Sequence, residues 1–268
     1  MNAFTVNLEA GIAEVRLTGT GPGNAMGAAV WSELPELVAS LDADDGVRAV
    51  ILRGDGDRFS IGLDMRWYLV HYRRLMRAGD GVRTRQRLFA EARTMQAAIT
   101  SVANSRLPFI AAVHGACVGA GLDLICACDI RIASEDAYFS LREVRVGIVA
   151  DLGSLQRLPG LIGGGPTREL ALTGRDMTAR EAYNRGLITE LSDRPRLWQR
   201  AQALAEQLAG YEPHVIAGIK AVLDRGPDLN YVAVWNAAFL PTDELPERLS
   251  AAIRQAPLAE DEHSSAVP

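Results

Sequence analysis

Lysine is almost missing from this 268-residue chain: Lys220 stands alone among 28 basic residues. The rest are arginines, and with 33 acidic residues the formal net charge is -5, which leaves no basic footprint for nucleic acid. Cysteine is scarce too. Cys117, Cys126 and Cys128 share one apolar passage, with neither CxxC spacing nor a histidine cluster beside them. They are expected to be free core thiols, which argues against a disulfide framework and against a zinc site. The opening residues, MNAFTVNLEA, contain no basic stretch followed by an apolar one, so no secretory signal is expected. Long hydrophobic runs are absent as well. The most apolar window, residues 107–128, is interrupted by His114, Asp123 and glycines, so no membrane span is expected. A soluble, cytoplasmic protein is the resulting expectation. GTGPG supplies Gly19, Gly21 and Gly23, but the third glycine of a dinucleotide fingerprint would fall on Asn24, and no GK[ST] follows. A plain glycine-rich turn is expected there.

What is present is enough apolar material for a sizeable core: 48% of residues are hydrophobic. FTVNLE and IAEVRLT alternate around Gly11 as a β-hairpin would. From Ala28 to Leu41, Val30, Leu34, Leu37, Val38 and Leu41 form a helical stripe. VRAVILRG then reads as a strand covered on both faces. Residues 65–105 are rich in arginine, including Arg73, Arg74, Arg77, Arg83, Arg85 and Arg87, and their second half has helical spacing. A solvated helix face is the plainer reading of these arginines, with a phosphate contact as the alternative. Further on, RIAS and AYFSL read as short strands extending a parallel ladder. LGSLQRLPGLIGGG reads as a helix closed by glycines, and TAREAYNRG as a helix capped by Thr178 and stopped at Gly186. LITEL is one more strand, and helices fill the chain from Arg194. This order implies an α/β core over residues 1–193, a helical region over 194–257 and a disordered tail over 258–268.

The unusual stretch runs from His114 to Asp151. It places Gly115, Gly119 and Gly121 and three carboxylates, Asp123, Glu143 and Asp151, in otherwise apolar surroundings. A buried strand leads into a glycine turn, and a helix begins near Gly121. Free amides at that turn, including Ala120, can hold an oxygen that becomes negative during a reaction. FSIGLDM offers a second set of such amides around Ile61, Gly62, Leu63 and Asp64. His114, which precedes Gly115 at the strand end, is expected to be structural or substrate-lining.

FSIGLDM, PFIAAVHGACVGAGLDLICACDIRIAS, EVRVGIVADLGSLQRLPG and TGRDMTAREAYNRGLITEL occur in that order and span most of the chain. Together they resemble the crotonase (enoyl-CoA hydratase/isomerase) superfamily. The resemblance implies a spiral of ββα turns, with C-terminal helices that build a homotrimer, often paired into a hexamer. It implies an acyl-CoA thioester as partner, with CoA as part of the substrate, and no metal or other cofactor. The oxyanion donors would be the backbone N–H groups of Leu63 and Ala120, although the family often has glycine at the second place. Ile61, Gly62, Asp64, Gly119 and Gly121 would line the substrate, and Lys220 could reach the CoA phosphates if it is not simply a surface side chain.

Within that superfamily the carboxylates choose the reaction. Asp123, Glu143 and Asp151, with VGIVADLGSLQRLP around the last, resemble the isomerases that convert 3,5-dienoyl-CoA to 2,4-dienoyl-CoA. The resemblance gives Glu143 the proton at carbon 2, Asp151 the delivery at carbon 6, and Asp123 the tuning of Glu143. Three carboxyls in one apolar pocket cannot all ionise comfortably, and Asp151, as proton donor, is expected to be the one held protonated. Hydration of trans-2-enoyl-CoA, and a non-catalytic acyl-CoA-binding scaffold, stay open as alternatives.

Overall fold

The computed structural model describes residues 1–77, 81–225, 229–240 and 244–255. The tail expected to be disordered, residues 258–268, lies outside the described residues. The chain forms two compact units, residues 1–220 and 221–268.

In the first unit, β1 (Phe4–Glu9) and β2 (Ile12–Leu17) pair antiparallel as the expected hairpin. α1 (Ala28–Ala43) buries Val30, Leu34, Leu37, Val38 and Leu41, the stripe that the spacing gives. β3 (Ala49–Gly54) is followed by α2 (Met65–Arg77), α3 (Gly81–Asn104) and β4 (Phe109–Val113). Arg83, Arg85 and Arg87 are exposed on α3, while the side chains of Arg74 and Arg77 lie outside the described residues. β5 (Ala116–Val118), α4 (Ala120–Cys126), β6 (Ile130–Ser134) and β7 (Tyr138–Ser140) follow in quick succession. After a 3-10 turn at Glu143–Val146 come α5 (Ser154–Ile162), α6 (Gly164–Thr173), β8 (Asp176–Thr178), α7 (Ala179–Arg185) and β9 (Glu190–Ser192). α8 (Arg194–Ala209) and the first part of α9 (Pro213–Arg225) complete the unit.

The strands make two sheets. The larger has the order β1-β2-β3-β4-β6-β9, parallel from β2 onward, and the smaller has the order β5-β7-β8. AYFSL therefore does not widen the main ladder as expected. Its strand β7 pairs parallel with β5 and antiparallel with β8 in the second sheet. As expected, α5 is closed by glycine, at Gly163 with φ +84°, and α6 starts at once with Gly164. Thr178 Oγ1 accepts the Glu181 amide at 3.2 Å, and Gly186 closes α7 in the left-handed conformation, as read from TAREAYNRG. Cys117, Cys126 and Cys128 are buried free thiols.

The boundary expected at 193/194 moves to 220/221, and α8 is the reason. Its Leu197, Ala201 and Ala205 pack with Ile51, Ile110 and Ile132 against one face of the main sheet. Burying apolar area at roughly 25 cal/mol per Å² makes α8 part of the core, not an appendage. Lys220 also departs from expectation. It is 8% exposed, and its Nζ donates to Leu107 O at 2.7 Å and Asp129 Oδ2 at 2.6 Å. Its Nζ is engaged inside the first unit, so it is not a surface side chain, and neither of these contacts points it to CoA phosphates.

The second unit contains α10 (Leu229–Phe239) and α11 (Leu245–Gln255). α10 buries none of its residues: Leu229 is 86% exposed and Val234 65% exposed. Trp235 packs against Phe239 with 4.7 Å between ring centroids and the planes tilted by 40°.

Candidate active site

The site is assembled where residues 60–64 run beside β5 and the start of α4. Ser60 bridges Cys117 in parallel, accepting from the Val118 amide and donating to Ala116 O. Two residues on, Met26 bridges Leu63 through Gly62 O and the Asp64 amide. In a parallel bridge of this kind the central residue's own N–H points the other way, so the Leu63 amide faces away from Met26.

Gly62, at φ +88°, fits only as glycine: a Cβ there would lie 2.6 Å from Val118 O and 3.2 Å from the Ala120 amide nitrogen. That closeness brings the Leu63 segment up to Ala120. Ala120 opens α4, where a first-turn N–H has no partner within the helix. Its methyl is packed in the main core, at 3% exposure. Gly119 adopts φ 52°, ψ -120°, and a Cβ on it would sit 3.0 Å from Glu143 Oε1. Amides and a carboxylate thus converge on one glycine.

Glu143 stands at the start of the 3-10 turn, half-buried, with Oε2 buried and without a hydrogen-bond partner among the described residues. Burial raises its pKa, and the charge of Asp151 adds to the rise. Asp123 lies one turn into α4 at 1% exposure, and its Oδ1 accepts the Ser154 amide at 2.5 Å. Burial pushes its carboxyl up to about 7, aided by Glu143 and Asp151 and opposed by Ser154. Asp151 is exposed on the loop into α5, and its carbonyl accepts Gln96 Nε2 from α3 at 2.7 Å. Burial of its carboxyl raises it as well. The three carboxyls therefore share one field, yet the largest rise falls on Asp123 and not on Asp151. The expectation that Asp151 is the group most strongly held protonated is corrected by how deeply each one sits.

Several expected lining residues have other work. Asp64 Oδ1 accepts the amides of Arg66 and Trp67, both at 3.0 Å, so this carboxylate caps α2. Gly121 lets α4 approach Ser60, whose Cβ would lie 3.0 Å from any side chain there. Ile61 is 42% exposed beside the turn. His114 is 7% exposed and its Nε2 lies 3.2 Å from Gly56 O, a structural placement. Two residues went unnoticed in the sequence. Ser154 reaches Asp123 from three positions beyond Asp151. Tyr68 sits one turn after the Asp64 cap, its hydroxyl pKa raised by burial and then by Asp151. The spacing of Tyr68 from FSIGLDM was its one available signal.

Among the described residues no group of acids, histidines and cysteines could hold a metal ion, and no helix is long and apolar enough to cross a membrane. The geometry suits proton transfer next to an oxygen held by two amides.

Comparison with known proteins agrees with that chemistry. Residues 7–238 match the family model described as enoyl-CoA hydratase/isomerase. A peroxisomal Delta(3,5)-Delta(2,4)-dienoyl-CoA isomerase from Arabidopsis thaliana is 41% identical, covering 85% of this chain and 84% of its own. A mitochondrial protein of the same name from Dictyostelium discoideum is 37% identical over 88% of this chain and 83% of its own. The crystal structure of an enoyl-CoA hydratase from Bacillus anthracis superposes with a TM-score of 0.80 at 27% identity, covering 94% of this chain and 96% of that one. The names of the relatives also correct the cytoplasmic expectation, since they place those enzymes in peroxisomes and mitochondria. The first residues of the sequence do not assign a compartment. On the family match and these identities, the chain belongs to the enoyl-CoA hydratase/isomerase, or crotonase, family.

Proposed function

We propose that this enzyme isomerises 3,5-dienoyl-CoA to 2,4-dienoyl-CoA. The observation that carries the reading is the third carboxyl: Asp151 and Glu143 both act on Asp123 by charge, and Glu143 Oε1 faces Gly119, next to Ala120. The named activity of the 41% and 37% identical relatives supports it. The thioester oxygen accepts from the N–H groups of Leu63 and Ala120. Glu143 takes the proton from carbon 2, and the electron pair spreads through the diene to the thioester oxygen as a dienolate. Asp151, entering protonated, gives its proton to carbon 6, leaving double bonds at carbons 2 and 4. Glu143 is then protonated and Asp151 ionised, and one proton returned from Glu143 to Asp151 restores the site. Asp123, buried beside them, sets the field that Glu143 feels and tunes its basicity.

No metal or separate cofactor enters these steps, and CoA arrives as part of the substrate. The exposed apolar face of α10 supports assembly as a homotrimer or a dimer of trimers. A strictly monomeric mass by light scattering at micromolar concentration would remove that part of the proposal. The paired assay of purified protein on 3,5-dienoyl-CoA and trans-2-enoyl-CoA tests the reaction itself. Faster turnover of the dienoyl ester is expected, and hydration alone would hand the site to the hydratase reading.

A further inference from the structure

An open groove of about 870 Å³ runs between α1, α3 and the loop into α5, and Asp151 is part of its wall. Its walls are mixed: Pro35, Val38, Ala97 and Leu152 are apolar, while Arg93 and Arg157 bring two guanidinium groups. Arg157 Nη2 lies 3.3 Å from Thr100 Oγ1, and Arg93 Nη1 lies 3.4 Å from Gln96 Oε1. Among the described residues, neither guanidinium makes an ion pair with a carboxylate. Arg142, Arg175 and Arg200, by contrast, are each held by an acid. Asp42, a further acid on the wall, is engaged by the Ser105 hydroxyl at 2.6 Å. Arg93, Gln96 and Thr100 share one face of α3, at spacings of three and four residues.

Direction along the substrate gives the groove its meaning. This argument rests on the isomerase reading, in which the thioester oxygen lies at Leu63 and Ala120, carbon 2 at Glu143 and carbon 6 at Asp151. CoA extends from the other side of the carbonyl. Whatever follows carbon 6 must therefore continue past Asp151, and this groove adjoins it. An alkyl segment can rest on Pro35, Val38, Ala97 and Leu152, whereas the two guanidiniums call for an anion at its end. A second cavity of about 600 Å³, between α1, α2 and α3, is walled by Trp31, Trp67 and Met95 and would suit an alkyl tail, but Asp151 is not among its walls.

We propose that the groove receives the distal end of the acyl chain and that this end carries a carboxylate. The substrate class is then an ω-carboxy-3,5-dienoyl-CoA, its far carboxylate held by Arg93 and Arg157. Guanidinium groups suit this task because their paired N–H donors match the two oxygens of a carboxylate.

The test uses the full-length protein and two 3,5-dienoyl-CoA esters of equal chain length, one ending in methyl and the other in carboxylate. Conversion is followed by the absorbance of the 2,4-dienoyl product. The ratio of kcat/KM, carboxylate over methyl, is expected to exceed ten. In Arg93→Ala, a change at an exposed residue, the ratio should fall about tenfold, mostly through KM, as for one lost charge-assisted hydrogen bond. Arg157→Gln should lower it in the same sense, and Arg93→Lys should restore part of it. A wild-type ratio at or below one, or a ratio unmoved in both Arg93→Ala and Arg157→Gln, overturns the proposal while leaving the isomerase intact. Failure to isomerise either ester overturns the isomerase reading, and this proposal with it.

Discussion

Asp123 and Asp151 belong to one acidic constellation, but their surroundings differ in kind. Asp123 is sealed in α4 at 1% exposure, with one oxygen tied to the Ser154 amide. Asp151 stands exposed on a loop, its backbone anchored by Gln96, and forms part of the wall of a groove between α1 and α3. Depth makes Asp123 the carboxyl with a pKa near 7, because removing an anion's water costs more than its single hydrogen bond returns. Access makes Asp151 the carboxyl that can meet a distal carbon. Both aspartates have raised pKa values, the deeper Asp123 by more, and Glu143 lies between them in depth.

The largest effect expected is at Glu143, the group shared by both candidate reactions. Glu143→Gln keeps the shape but cannot accept the proton from carbon 2, so turnover should fall by about 10⁴-fold, the upper range for a lost general base. Both dienoyl isomerisation and any enoyl hydration should suffer. Retention of either within tenfold would show that proton removal belongs to another carboxyl.

Asp151→Asn should come next, lowering dienoyl isomerisation by roughly 10²–10³-fold while any hydration changes much less. The comparison counts only where acyl-CoA affinity and melting temperature stay near wild type. Isomerisation at the wild-type rate would remove Asp151 from the mechanism and put the hydratase reading ahead.

The buried member of the pair predicts a pH effect on stability. Asp123 ionises near 7 when folded and at an ordinary 3.8 when free. Between those values the folded chain binds a proton that the unfolded chain does not. The contribution is full below the free value and disappears as pH rises through the folded one, so stability should fall from pH 5 to pH 8 by a few kcal/mol at most. Asp123→Asn, neutral throughout, should flatten that part of the profile. Melting curves of the two proteins at several pH values decide it; parallel profiles would mean that Asp123 is ionised at neutrality.

How far the sequence could be read follows the same division between local and distant causes. The hairpin, the α1 stripe, the Thr178 cap and the ordered family motifs are encoded within short windows, and all of them appear where expected. The turn at Gly119 and Gly62 was legible as glycines, but the placing of Glu143 Oε1 where a Cβ on Gly119 would crowd it was not, because that contact joins segments far apart in the chain. The same holds for β7, whose partners are settled by which sheet has a free edge, and for α8, whose apolar side required knowing that the sheet's second face was uncovered. Asp64 looked like part of a binding loop because its role as cap depends on where α2 begins. Asp123 and Asp151 were found by motif, but their order of pKa depends on burial, which no spacing reports.

Lys220 gives the smallest expected effect and the cleanest check on that last lesson, since a lone lysine invited a functional reading that its depth denies. Its Nζ bonds to Leu107 O and Asp129 Oδ2 fasten α9 to the start of β4, where Asp129 Oδ2 also accepts the Phe109 amide at 2.7 Å. Lys220→Met keeps most of the aliphatic stem and deletes the charge, leaving Asp129 with its backbone donor. Because Asp129 keeps 28% side-chain exposure, water can take over part of the lysine's role. The loss should therefore be about 1–3 kcal/mol, below the 3–5 typical of breaking a fully buried pair. The melting temperature should drop while KM for acyl-CoA stays within about twofold, since the ammonium is turned inward. A tenfold rise in KM at unchanged stability would reverse the assignment and return Lys220 to the CoA phosphates.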